Sequence, residues 1–470
     1  MGSIMPSADD YKPTFKTPWI ETPLVESAAL SRAAGCRIFL KLENVQPSGS
    51  FKSRAMGNQI LSHLRKPEYF NRRVHFYASS GGNAGLAAVC AARSLGYPCT
   101  VVVPLSTKPL MVEKLKAAGA ADVIRHGDNF FEAGSYMKEV IMKQRSEEDK
   151  EVANIALHPF DNEPIWEGNS TIVDELEKQL PAAANTEEEE VYRGRALPLD
   201  AILCSVGGGG LLNGLVMGLE KRRSQKANGQ SATGHCYMDV SNSDSHHHTA
   251  TTNPSPVHLL AIETDGTDSL AAAIAKKSLV SLPKITSQAT SLGAIRVSET
   301  TFQYAVSPPP GIKVHSTVLS DAEAARGVLR LADDERLLVE LACGVCVEAA
   351  IGDAATATTA ATAVSASPVA GGQSSKKRKR DSADAVPQRD EGYGDDRSSS
   401  TDNETDLEAE ADVGDVNVTS TQTPEFSSKL KQLVPDLNEQ SRVVIIVCGG
   451  SNVTIDMASE YRRMLAEGWV

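Results

Sequence analysis

The feature that most restricts what this chain can fold into is a repeated junction, in which an apolar, strand-like run leads straight into a glycine-rich loop. It occurs at ASSGGNAG (78–85), SVGGGGLLNG (205–214) and VCGGSN (447–452). The strand-like runs are RIFLKLE (37–43), VHFYAS (74–79), CTVVVP (99–104), AILCSV (201–206), HLLAIE (258–263) and RVVIIVC (442–448). Ala/Leu-rich helical stretches such as AGLAAVCAARSLG (84–96) and MVEKLKAAGA (111–120) lie between them. Near-continuous apolar strands alternating with helices predict parallel α/β sheet covered on both faces. In such sheets ligands bind at loops beyond the carboxyl ends of the strands, which is where the glycines stand.

Three stretches break the alternation. Residues 182–196 carry an acidic run, Glu187 to Glu190. Residues 223–256 are polar and include His246 to His248, and residues 353–425 run from an Ala/Thr/Ser tract through KKRKRD into an acidic tail. Segments so poor in apolar surface do not offset their ordering entropy, so all three are expected to be disordered insertions. What remains suits two packed α/β lobes.

Of the net charge of −13, residues 353–425 account for −8, with 7 Lys/Arg against 15 Asp/Glu. The rest is only mildly acidic, which gives a nucleic-acid or membrane-surface partner no electrostatic support. Eight cysteines over 470 residues do not make a disulfide framework. Cys343 and Cys346 form a lone Cys-x-x-Cys with no second pair or neighbouring histidines to complete a zinc site. The first fifteen residues have no apolar core and carry early acids, and no run approaches the roughly 20 apolar residues of a membrane span. The expected setting is cytoplasmic. KKRKR (376–380) reads either as a nuclear localisation signal, which would add a nuclear fraction, or as a solvated charge run. His246 to His248 carry only a weak suggestion of metal binding.

The tetraglycine loop Gly207–Gly210 precedes an apolar helix, so its backbone N–H groups can converge on a phosphate. Neither a Walker motif nor a dinucleotide fingerprint is present, which points to some other phosphorylated cofactor. Lys52, in SGSFKSR (48–54), follows a Pro-Ser-Gly turn and a phenylalanine. Most lysines are solvated surface charges, but one held against an aromatic ring loses solvation, drops in pKa and becomes a nucleophile.

Together these stretches resemble the fold-type II pyridoxal-phosphate enzymes, and most closely the serine/threonine dehydratases of the tryptophan synthase β family. The matching segments are TPLVESAALS (22–31), KLENVQPSGSFKSR (41–54), ASSGGNAGLAA (78–88), HPFDNEPIWEGNSTIVDEL (158–176), SVGGGGLLNG (205–214), IETDG (262–266), TSQATSLGA (286–294) and VCGGSN (447–452). The resemblance implies two doubly wound open sheets with the cofactor between lobes: a large lobe of residues 1–44 and 161–470 and a small lobe of residues 45–160. It implies that Lys52 forms the internal aldimine and shuttles the Cα proton. Phe51 would pack on one ring face with Ala289 near the other. Ser80, Gly81 and Gly82 would receive the substrate carboxylate, and Asn83 would bond the ring's phenolic oxygen. Gly207, Gly208, Gly209, Gly210 and Leu211 would cradle the phosphate, the group proposed in this family to protonate the leaving hydroxyl.

Cys448 would sit at the pyridine nitrogen. A thiol is too weak an acid to protonate a pyridine, so prompt loss of a β-substituent is favoured over racemisation or transamination. A buried small hydrophobe is the other reading of this cysteine. Glu263, Thr267 and Ser269 match a monovalent-cation site of the family, with potassium the implied ion; a structural carboxylate is an equal reading of Glu263. The implied reaction is catabolic deamination of L-serine to pyruvate and ammonia by a homodimer, with L-threonine a further substrate.

Two departures stand out: Arg54-Ala55 where the family usually has Arg-Gly, and Gly81 where some relatives have Ala, expected to enlarge the carboxylate pocket. The alternatives are a threonine dehydratase giving 2-oxobutyrate, a β-replacement synthase of the cysteine synthase type, and a nuclear interaction protein that works through KKRKR. Intact Lys52, Asn83, Cys448 and phosphate loop argue against the last.

Overall fold

A computed structural model describes residues 14–227, 255–353 and 428–470; His246 to His248, KKRKR and nearly all of the 223–256 and 353–425 segments lie outside the described residues. Among the described residues ten strands form two sheets. The larger has the order β1-β2-β10-β7-β8-β9, and comprises β1 (Leu24–Glu26), β2 (Arg37–Lys41), β7 (Ala201–Ser205), β8 (Val257–Thr264), β9 (Ile312–Leu319) and β10 (Arg442–Ile446). The smaller has the order β5-β4-β3-β6, from β3 (Arg73–Ala78), β4 (Cys99–Val103), β5 (Asp122–Arg125) and β6 (Val152–Leu157). All pairs are parallel except β1–β2. The unbroken apolar runs are those of strands buried on both faces: every residue of β4, β7 and β10 is buried.

Strand order places the loops. In the large sheet the chain moves from β7 outward through β8 and β9, then returns to insert β10 on the other side of β7. In the small sheet it moves from β3 through β4 to β5, then returns to place β6 beside β3. Each reversal leaves a crevice at the carboxyl ends of the two diverging strands. The loops there are 206–209 and 447–454 in one sheet, and 79–82 and 158–162 in the other. All three glycine-rich junctions therefore stand at reversals.

The helix Lys52–Leu64 is tied to the large sheet by buried charges. Arg54, fully buried, donates to Glu43 (2.8 and 2.7 Å) and to Glu175 (2.5 and 2.8 Å), and Lys41 donates to Glu175 at 2.6 Å. Two cations face two carboxylates, so no charge is left uncompensated away from water. Gln59 clamps the other side, donating to the carbonyl of His158 (3.1 Å) and accepting its N–H (2.9 Å). Ala55 is fully buried in this helix, so the methyl group that replaces hydrogen there is accommodated.

Residues 182–196 are not a disordered insertion. Thr186–Tyr192 is a helix, capped by Asn185, whose side chain accepts the Glu188 N–H at 2.8 Å. Glu188 pairs with the fully buried Arg442 at 2.5 Å, and the Tyr192 ring lies 5.0 Å from the Arg195 guanidinium and 5.1 Å from that of Arg442. Glu188 and Tyr192 are four apart and share one helix face, so an acidic run that reads as solvated supplies partners for a buried arginine at the start of β10. The helix Gly210–Ala227 likewise carries order into the first residues of the 223–256 segment.

Candidate functional site

Lys52 is the first residue of its helix, directly after Phe51. Its Nζ donates to the Pro159 carbonyl at 3.3 Å and lies 4.7 Å from the centroid of the Phe51 ring. Burial draws its pKa down from 10.5 to about 8, with the nearby Cys448 pulling weakly the other way. The Phe51 N–H donates to the Cys448 carbonyl at 3.3 Å, and Ser50 bridges to Gly449. The lysine turn and the VCGGSN loop are thus stapled together across almost 400 residues of chain.

Cys448 is a buried, neutral thiol. It lies 3.6 Å from Ser205 Oγ and donates to the Ala342 carbonyl at 3.8 Å. A hydrogen bond with Cys343, and then burial, hold its pKa well above the ordinary thiol range. It can offer or accept a hydrogen bond and cannot serve as an acid.

The tetraglycine loop leaves no room for side chains on its own residues. A Cβ at Gly208 would stand 2.2 Å from the Phe160 ring. One at Gly209 would stand 1.8 Å from Thr301 Oγ1, and Gly209 also needs the left-handed φ of 93° that glycine alone adopts freely. The loop carbonyls are used, Gly208 by the Ser298 N–H (3.1 Å) and Gly210 by Asn169 (2.9 Å). Among the described residues no hydrogen-bond acceptor meets the N–H groups of Gly207 to Leu211. Free donors at the start of a long helix, with carbonyls turned away, fit a phosphate.

On the small-sheet side, Ser80, Gly81 and Gly82 cross from β3 to the helix Asn83–Ser94, and Ser80 Oγ accepts the Gly82 N–H at 3.3 Å. Gly81 does not enlarge this pocket. The position of its missing Cβ is already filled by the Thr107 side chain, at 2.7 and 2.8 Å. Ala289 is buried just before the short helix Thr290–Leu292, and Leu292 backbone approaches Gly207.

Two residues beyond the sequence-derived set belong here. Glu340, buried at the start of the helix Leu341–Ile351, receives Asn83 Nδ2 at 3.0 Å, the Asn452 N–H at 2.7 Å and the Ser291 hydroxyl. His158 Nδ1 accepts the N–H groups of Asp161 (2.8 Å) and Phe160 (3.3 Å), which places its proton on Nε2. Burial lowers its pKa, so it is neutral beside Lys52. His158 stands in HPFDNE, but its chemistry is invisible until the turn closes. Glu340 follows an undistinguished apolar run and carries no local signal.

Glu263, Thr267 and Ser269 sit at the carboxyl end of β8 and are all fully buried. Glu263 accepts the N–H groups of Leu270 (2.8 Å) and Ala271 (2.9 Å), yet burial still raises its pKa to about 8. Among the described residues no basic side chain pairs with it, and the Ser269 hydroxyl has no partner. An under-compensated carboxylate beside a free hydroxyl fits a hard monovalent cation.

Residues 16–366 match a family model described as pyridoxal-phosphate dependent enzyme. An L-serine dehydratase of Saccharomyces cerevisiae (strain AWRI1631) is 38% identical over 329 residues, 70% of this chain and 84% of that protein. An L-serine dehydratase/L-threonine deaminase of Mus musculus is 37% identical over 330 residues, 70% of this chain and 82% of that protein. Among solved structures, a fungal L-serine ammonia-lyase from Rhizomucor miehei superposes with a TM-score of 0.62 over 95% of this chain and 99% of that one, at 24% identity. Threonine deaminase isoform 2 from Solanum lycopersicum gives 0.58 over 96% and 84%, at 17% identity. These two structures share the fold.

Proposed function

This chain belongs to the pyridoxal-phosphate-dependent enzyme family, and from that premise we infer that it is an L-serine ammonia-lyase that releases pyruvate and ammonia, with L-threonine as a further substrate. The bound cofactor supplies an electron sink for the pair left on Cα when its proton departs.

The chain's own residues supply the rest. Gly207 to Leu211 would offer backbone N–H groups to the cofactor phosphate, Asn83 would donate to its ring oxygen, and Phe51 and Ala289 would hold its ring. Ser80 and the N–H groups of Gly81 and Gly82 receive the substrate carboxylate. Lys52, with an amine brought to about 8, is about one-tenth neutral at pH 7 and removes the Cα proton. The neutral Cys448 thiol would hydrogen-bond the cofactor's ring nitrogen without protonating it. With Cys448 leaving that nitrogen unprotonated, a bound cofactor would withdraw electrons less deeply, which would favour loss of the β-hydroxyl over return of the proton from Lys52 to Cα. Loss of water gives aminoacrylate, which tautomerises and hydrolyses to pyruvate and ammonia.

The observation that carries this reading is the convergence of a desolvated Lys52 amine, Cys448 and Asn83 at the crevices of both sheets, beside five N–H groups of Gly207 to Leu211 that meet no acceptor among the described residues. The two sheets support a division into the lobes 1–44 with 161–470 and 45–160, although residues 182–196 are helical. Glu263, Thr267 and Ser269 would hold potassium. Among the described residues no helix is long and apolar enough to cross a membrane, and a cytoplasmic homodimer completes the reading.

The test is the absorption spectrum of the purified protein before and after L-serine, with pyruvate followed in parallel. A visible band that borohydride locks onto Lys52, together with pyruvate release, is expected. A band without pyruvate from serine or 2-oxobutyrate from threonine would overturn the lyase reading, and no band after added pyridoxal phosphate would overturn the cofactor.

A further inference from the structure

Asn83 is held from both sides by groups that leave its amide one orientation. The Ser451 N–H, a pure donor, meets Oδ1 at 2.9 Å, and the Glu340 carboxylate, a pure acceptor, meets Nδ2 at 3.0 Å. Flipping the amide would set two donors and two acceptors face to face. Among the described residues the second Nδ2 hydrogen faces only Ser291 Oγ, at a long 3.3 Å, and that hydroxyl is itself committed to Glu340. The VCGGSN loop is shaped around the carboxylate. Gly450 has a φ of 120°, and a Cβ there would stand 2.3 Å from Glu340 Cδ. The Asn452 N–H closes the same grip at 2.7 Å. One buried side chain therefore joins the small-sheet loop, the Ser291 turn and the VCGGSN loop.

We propose that Glu340 is a positioning residue for the reaction: it fixes the Asn83 amide so that its one loosely held N–H points at the ring oxygen of the bound cofactor. This rests on the cofactor reading of the site. Glu340 does not touch the reacting atoms. It acts through Asn83, and a Ser291 contact that gives way lets the cofactor oxygen take its place. Without Glu340 the amide is free to rotate and the donor toward the ring oxygen is lost.

The experiment compares the parent with E340A and E340Q. Apoprotein is titrated with pyridoxal phosphate for Kd, and the ratio of ultraviolet to visible bands of the bound cofactor is recorded, since it reports how well the ionised ring oxygen is supported. Loss of one oriented donor in E340A is expected to raise Kd about tenfold and to shift the ratio toward the ultraviolet band. In E340Q the side-chain oxygen still accepts from Asn83 and Asn452, so Kd is expected within about threefold of the parent with the ratio restored. A parental Kd and ratio in E340A, whatever its melting temperature, would reduce Glu340 to a structural role and overturn the proposal. E340Q as damaged as E340A would also overturn it, because charge and not orientation would then be the property that matters. Should E340A not fold, E340D, drawn back by one methylene, takes its place with the same expected shift. A parent that never takes up the cofactor brings down the cofactor reading itself, an outcome distinct from either of these.

Discussion

Lys52 provides the sharpest prediction, because its reactivity rests on one quantity. An exposed lysine with a pKa of 10.5 is neutral in roughly one molecule in 3,000 at pH 7. With the pKa drawn down to about 8 by burial, Lys52 is neutral in about one in eleven, close to a 300-fold gain in reactive amine. The perturbation is pH. Apoprotein is mixed with limiting pyridoxal phosphate, the reaction is stopped with borohydride, and modification at Lys52 is quantified by mass spectrometry. The initial rate should rise about tenfold per unit below pH 8 and level off above it. Surface lysines in the same sample should keep rising to beyond pH 10. The same group makes folding linked to pH. The unfolded chain holds the Lys52 proton up to 10.5 and the native chain releases it near 8, so this site adds stability as pH rises between those values. A Lys52 profile that follows the surface lysines would refute the desolvation argument, and with it the assignment of Lys52 as a base that works near neutral pH.

Three further outcomes follow from the geometry. Gly208→Ala, which drives a methyl group into the Phe160 ring, should abolish cofactor uptake in a spectroscopic titration while the far-ultraviolet circular dichroism stays native. Glu175→Gln leaves Arg54 and Lys41 sharing one carboxylate in the interior, and should cost about 3 kcal/mol in urea unfolding of the holoprotein. Glu263 binds a proton in the native state up to about pH 8 but in the unfolded chain only to about 4.5, so this site loses stability as pH rises between them. Potassium, which pairs with the ionised carboxylate, should therefore raise the melting temperature at pH 8.5 and leave it nearly unchanged at pH 5. Equal gains at both would remove Glu263 from the cation site.

The part of the site legible in the sequence is the part that backbone geometry dictates locally. Glycines with no space for a Cβ, a lysine after a tight turn, and a cysteine at the end of an apolar strand each announce themselves within a dozen residues. Arg442 and residues 182–196 were not legible in this way. A run of four glutamates is a solvated tract unless a buried arginine from 250 residues away needs one of them. Gly81 misled for the same reason, since the meaning of a missing methyl group depends on what faces it, and Thr107 does. Glu340 gave no signal because its three partners come from three separate segments.

Taken alone, the sequence determined the parallel α/β class, the three glycine-rich loops at the carboxyl ends of strands, and the residue types each loop offers, because strand periodicity and glycine geometry are short-range properties of the chain. The tertiary structure decided the rest: a Lys52 amine near 8, a neutral Cys448, an Asn83 amide with one permitted orientation, and a Glu263 carboxylate with no basic partner among the described residues. Each of these depends on desolvation, or on a partner that arrives only when β10 inserts beside β7 and the loop after it meets Asn83. Burial and long-range pairing are properties of the folded volume, and no window along the chain contains them.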